Sequence, residues 1–189
     1  MNMDRIKEFL YESAAVKKAV ADTLSDKILE AINIARTSYR NGGKMLLMGN
    51  GGSAGDAQHI AAEFIGRYKK ERKPGAAIAL TVDSSVLTCV GNDYGYENVF
   101  ARQVEGLAKK EDVVIAISTS GNSENVIRGV EKAREIGAKT IGLLGKQGGK
   151  LKDKVDLAIV VPSSDTARIQ EAHITIGHII CEILDEDFD

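Results

Sequence analysis

Apolar residues recur at helical spacing from Ile6 to about Leu24, and again from Ile28 to about Tyr39. The spacing predicts two N-terminal helices, the second stopped by NGGK at positions 41–44, with Asn and Gly at its end. The period then changes. KMLLMG (44–49) is the short continuous apolar run that a strand buried on both faces requires. A helix follows, with Ser53 placed to cap it and Asp56 in its first turn, where the helix dipole favours negative charge. RYKKERKPG (67–75) reads as a charged surface loop, AAIALTV (76–82) as a second strand, and a helix is expected around 98–109. The second half repeats the alternation: strand DVVIAIS (112–118), helix NSENVIRGVEKAREIG (122–137), strands KTIGLLG (139–145) and DLAIVVP (156–162). A last helix starts after SSD and runs to about Asp185. Continuous apolar strands alternating with helices predict an α/β fold, a parallel sheet with helices on both faces in a three-layer αβα sandwich. No repeat, low-complexity tract or long linker divides the chain. One domain is expected, with a helical pair over 1–42 and the α/β core over 43–189.

Composition narrows the classes. The 189 residues carry a net charge of −2, which does not draw the molecule to nucleic acid or to an acidic membrane surface. Two cysteines, far apart and in no C-x-x-C pair, argue against a disulfide framework and a thiolate zinc site. The N-terminal stretch is charged throughout and lacks the apolar centre of a signal peptide. No apolar run approaches the ~20 residues that span a bilayer. A cytoplasmic protein is expected.

Ligands of an open parallel sheet bind outside the carboxyl ends of its strands. Two loops of unusual composition fall there, GNGGSAG (49–55) and STSGNSEN (118–125), each leading into a helix N-terminus that favours an anion. The first fits G-x-G-x-x-A through Gly49, Gly51 and Ala54. A dinucleotide site also wants an acid about twenty residues on, and Asp83 is over thirty residues away. No G-K-[ST] follows, which excludes a Walker loop. The second loop gathers the hydroxyls of Ser118, Thr119, Ser120 and Ser123 around one helix start. Such residues also make ordinary turns and caps. Four hydroxyls in six positions with backbone N–H groups form a cradle for a phosphomonoester. The helix after the first loop carries His59 and Glu63 at i and i+4, about 40° apart around its axis. That pair can bind one metal or act as acid and base, although it also arises on solvated helices without function.

These loops resemble the two signature loops of the sugar isomerase (SIS) domain. GGKMLLMGNGGS, HIAAEFIGRY, VGNDYGYENVFARQV, AISTSGNSENVI and RIQEAHITIGHIICEI follow one another at the spacing of the phosphoheptose isomerases, over nearly the whole chain. The resemblance implies an SIS-type sheet and interconversion of sedoheptulose 7-phosphate and D-glycero-D-manno-heptose 7-phosphate, feeding ADP-heptose synthesis. It implies a cytoplasmic homotetramer with active sites between subunits, and one divalent metal per site, zinc by family pattern. It assigns His59, Glu63, Gln170 and His178 to the metal, and Glu63 with His178 to catalysis. It places Asn50, Gly51, Gly52, Ser53, Glu63, Asn92, Asp93, Ser118, Thr119, Ser120, Ser123 and Gln170 at the substrate. His173, five residues from His178, then sits at a packing face or a subunit contact. Asn92 and Asp93 alone read as a turn. Gln170 and His178 are separated by about 12 Å of rise if one regular helix carries both, too far for one ion. Either Gln170 lies at a distorted helix start or two chains supply the ligands, and zinc seldom takes Gln. Two alternatives stand beside the isomerase: a non-catalytic SIS protein that binds the replication initiator, and an isomerase or lyase for another phosphosugar.

Overall fold

The computed structural model describes residues 3–187. The apolar runs form five strands: β1 (Met45–Gly49), β2 (Ala77–Ala79), β3 (Val113–Ser118), β4 (Lys139–Leu144) and β5 (Leu157–Val160). All pair in parallel in the order β2-β1-β3-β4-β5. Successive strand residues point to opposite faces, which sorts them into two cores. Met45, Leu47, Val113, Ile115, Ile117, Ile141 and Leu143 join one core. Leu46, Met48, Val114, Ala116 and Leu144 join the other. The first core is covered by α1 (Met3–Arg40), α2 (Gly52–Ile65) and α6 (Thr166–Asp185), the second by α4 (Val99–Leu107) and α5 (Glu124–Ile136). The result is the expected three-layer αβα sandwich.

Four local expectations are corrected. The N-terminal helical pair is one continuous helix of 38 residues. Val20, Leu24, Ile28, Ala31, Ile32 and Ala35 form one buried stripe along it. The polar Ser25 and Asp26 interrupt that stripe in sequence but lie on its exposed side, and neither Gly nor Pro breaks the backbone. The expected second strand shortens to three residues at the sheet edge, and a helix that the pattern did not predict follows, α3 (Ser84–Tyr94). None of its residues is fully buried, so it left no clear apolar period; Asp83 caps it by accepting from the Val86 N–H at 2.9 Å. Ser53 does not cap α2. Gly51 holds the N-cap position, without a side-chain cap, and Ser53 is buried. Asp56 accordingly falls beyond the first turn. Finally, the charged loop 67–75 is not all surface: the Arg72 side chain is 2% exposed.

Candidate active site

After β1 the chain moves outward to β2, then returns to the other side of β1 to form β3. This reversal opens a crevice at the carboxyl ends of β1 and β3, where Gly49 pairs with Ile117. The two loops singled out in the sequence therefore lie side by side. They are joined by reciprocal amide bonds: Asn50 Nδ2 donates to Asn125 Oδ1 at 2.8 Å and Asn125 Nδ2 to Asn50 Oδ1 at 2.9 Å. The Asn50 side chain is thus a bridge between loops.

In the second loop, Ser118 Oγ lies 3.1 Å from Ser123 Oγ and accepts from the Gly121 N–H at 3.1 Å. Ser120 Oγ accepts from the Asn122 N–H at 3.2 Å. Ser123 occupies the N-cap of α5 but makes no side-chain cap bond. Its hydroxyl leaves the first N–H groups of α5 to other acceptors. Gly121 has φ +65°, and a Cβ there would fall 1.9 Å from the Gly148 carbonyl oxygen. Only glycine lets this loop pass so close to its neighbour.

Further along, away from these loops, α2 and α6 bring three side chains together. His59 Nε2 lies 3.2 Å from Glu63 Oε1 and 3.4 Å from His178 Nε2, and the three potential ligand atoms lie within 4.8 Å of one another. Close helix packing makes this contact: a Cβ at Gly177 would stand 2.5 Å from Ile60 Cδ1. Tyr68 stacks on the His178 ring at 5.9 Å, while His59 meets it edge-on at 4.9 Å. Two imidazole nitrogens and a carboxylate oxygen converging on one point are a donor set that suits a divalent transition metal. Asp56 is one turn before His59 with a buried Oδ2 that has no partner, and burial raises its pKa against the opposing pull of His59.

The other expected site residues fall elsewhere within one chain. Gln170 lies against Gly52, whose Cβ would be 2.4 Å from Gln170 Nε2. Gln170 and His178 share the regular helix α6, capped at Asp165, so the distorted-start alternative does not hold. About 12 Å of rise separates them. Asn92 and Asp93 are not a loop turn. They end α3, exposed, with Asn92 Nδ2 donating to Asp93 Oδ1 at 2.8 Å. Cys181 is buried, and burial pushes its thiol up to about 12, with Glu63 adding to the rise, so it offers no thiolate. His173 is fully buried at a packing face, where Nε2 donates to the Leu144 carbonyl at 2.9 Å. Sequence reasoning missed Tyr68 and the Asn125 bridge. Asn125 had a signal, an amide inside the hydroxyl-rich loop; Tyr68 had none beyond its nearness to Glu63.

The SIS domain profile matches residues 8–145. The chain is 58% identical to the phosphoheptose isomerase of Nitratiruptor sp. over 98% of its own length and all of the relative's. It is 53% identical to that of Aquifex aeolicus, covering 97% of this chain and 96% of the relative. The chain belongs to the phosphoheptose isomerase family of SIS-domain proteins. Solved phosphoheptose isomerases share its architecture. That of Neisseria gonorrhoeae superposes with a TM-score of 0.92 at 42% identity, covering 97% of this chain and 98% of the other. That of Francisella tularensis gives 0.95 at 38%, covering 98% and 100%. The SIS match ends before β5 and α6. His178 and Gln170 therefore lie outside the matched region. Among the described residues no helix is long and apolar enough to cross a membrane.

Proposed function

We propose that the chain is a cytoplasmic aldose–ketose isomerase that converts D-sedoheptulose 7-phosphate into D-glycero-D-manno-heptose 7-phosphate, the first step toward ADP-heptose. The convergence of His59, Glu63 and His178 on one point, in a chain that also carries two loops suited to an anion, carries the reading. Holding a phosphosugar requires only the loops. Moving its carbonyl from C2 to C1 requires a base, an acid and a stabiliser of the enediolate oxygen as well.

The hydroxyls of Ser118, Thr119, Ser120 and Ser123 and the N-terminus of α5 take the phosphate. This remote grip orients the open chain, with Asn50, Gly51, Gly52 and Ser53 along the reacting end and Asn92 and Asp93 on sugar hydroxyls. Glu63 removes the C1 proton, and the electrons form the C1–C2 double bond of the enediolate. After that proton exchanges with solvent on the carboxyl group, its delivery to C2 leaves the carbonyl at C1, while His178 moves a proton between the two oxygens. A divalent cation held by His59, Glu63 and His178, zinc by this donor set, supplies an electrophile for the enediolate oxygen when bound.

Gln170 reaches the site of a second copy, as a ligand or a substrate contact, because its own helix carries it away from His178. Exposed apolar residues support such a homo-oligomer, a tetramer in our reading: Met3, Ile6, Phe9, Leu10 and Tyr11 lie bare on the projecting start of α1. Light scattering coupled to gel filtration measures the assembly directly.

The decisive test is a proton NMR time course of metal-loaded protein with sedoheptulose 7-phosphate in deuterated water. An aldose heptose phosphate with deuterium at C2 is the expected product. Folded, metal-loaded protein that leaves the ketose unchanged overturns the isomerase. Conversion of a shorter sugar phosphate but not the heptose would reassign the substrate.

A further inference from the structure

Arg72 and Asp185 form a buried ion pair, each side chain 2% exposed, at the far ends of the two helices that carry the converging site residues. The guanidinium does more than meet a carboxylate. Its Nε donates to Asp185 Oδ1, its Nη2 to the Glu63 carbonyl at 2.8 Å, and its Nη1 to the carbonyls of Phe64 and Lys73 at 3.0 Å. One planar fork therefore holds the last turn of α2 at the residue whose side chain faces His59. Asp185 completes the junction, since its Oδ2 accepts from the backbone N–H groups of Lys69 at 3.1 Å and Lys70 at 2.9 Å. Those residues directly follow Tyr68, which stacks on His178. Asp185 itself lies seven residues beyond His178 on α6, two turns along the same face.

We propose that Arg72 and Asp185 act as a positioning clamp that sets His59 and Glu63 on α2 against His178 on α6. The clamp rests on the reading of these three residues as one metal-binding, catalytic group. It touches neither the substrate nor the ion. Arg72 fixes the backbone of Glu63, Asp185 fixes the loop that seats Tyr68, and the ion pair ties both to the helix that carries His178. A lysine at 72 brings its donors on one compact nitrogen, which cannot span Asp185 and two successive carbonyls as the planar fork does.

A second buried carboxylate, on other elements at the same amino-terminal end of the sheet, supplies a matched control. Asp112 is 1% exposed and also takes three donors, Lys44 Nζ at 2.6 Å and the N–H groups of Lys44 at 2.9 Å and Lys109 at 2.7 Å. Removing charge there destabilises the fold without touching α2 or α6. The experiment compares wild type, Asp185→Asn, Arg72→Lys and Asp112→Asn in cobalt(II) titrations read by visible absorption, beside thermal unfolding and isomerase kinetics. Both clamp variants should bind cobalt at least tenfold more weakly with an altered absorption band. Their kcat should fall at least tenfold while KM changes less than threefold, because the phosphate loops are untouched. Asp112→Asn should lose thermal stability and keep the cobalt affinity and kcat within twofold. Wild-type cobalt affinity, spectrum and kcat in Arg72→Lys overturn the clamp. Equal losses in Asp112→Asn also overturn it, by reducing the effect to general stability. Wild type that binds no cobalt yet isomerises overturns the metal reading and the clamp together, and leaves the isomerase standing.

Discussion

Lowering the pH from 7 to 5 should destabilise the protein through His173, a histidine that takes no part in the proposed chemistry. Its ring is fully buried, and because the Leu144 carbonyl can only accept, Nε2 carries the proton of the neutral tautomer. Nδ1 is buried without a partner, so nothing there rewards a second proton. Burial lowers the pKa from 6.5 to about 4, against a smaller opposing effect of the Leu144 bond. The unfolded chain therefore binds the proton more readily than the folded one between these values. The stabilising contribution is complete above about 6.5, declines as pH falls, and is lost below about 4. Linkage over that shift gives a loss of about 2 kcal/mol between pH 7 and pH 5. The assay is urea unfolding of chelator-treated protein at both pH values, for wild type and His173→Gln. Gln keeps an N–H for the Leu144 carbonyl and has nothing to titrate. Other groups contribute alike to both proteins, so the difference between the two pH dependences isolates His173. Wild type should lose about 2 kcal/mol more than the variant. Equal losses in the two proteins would show that the ring is protonated in the fold and refute the reasoning.

Glu63→Gln should abolish turnover, by roughly a thousandfold or more, while sedoheptulose 7-phosphate still binds by calorimetry; full activity would remove Glu63 as the base. Ser118→Ala breaks the contacts to Ser123 and the Gly121 N–H and should raise KM roughly tenfold, about 1.4 kcal/mol, with a smaller change in kcat. Gly121→Ala forces a Cβ against the Gly148 carbonyl at positive φ. It should cost at least about 2 kcal/mol in urea unfolding and weaken inorganic phosphate binding, and a neutral result would contradict the observed loop path.

The layer architecture was legible because it depends on burial, and burial dictates residue type. Strands covered on both faces must be apolar throughout, so β1, β3 and β4 appear as uninterrupted runs. The helix start at Thr166 was legible too, through the cap chemistry of Asp165. Where burial is weak the pattern had little to report. The helix α3 has no fully buried residue and passed for a turn. The polar residues between Leu24 and Ile28 passed for a helix break, although they face solvent on one unbroken helix. Arg72 sits in a run of charges that looks like surface, and nothing local shows that one of them turns inward.

The site divides along the same line. The sequence by itself located the two loops proposed to hold the anion, since glycine and hydroxyl residues at strand ends carry their chemistry in their own backbone and side chains. It also determined the His59–Glu63 pair, because four residues on one helix bring two side chains to one face. The family resemblance already assigned His178, 119 residues from His59, to the group, and the fold is what brings it there; only the tertiary structure decided that Asn50 and Asn125 bridge the two loops, and that Arg72 reaches Asp185. Those contacts join residues distant along the chain, and they exist only because a parallel sheet brings the carboxyl ends of β1 and β3 together and lays α6 across α2.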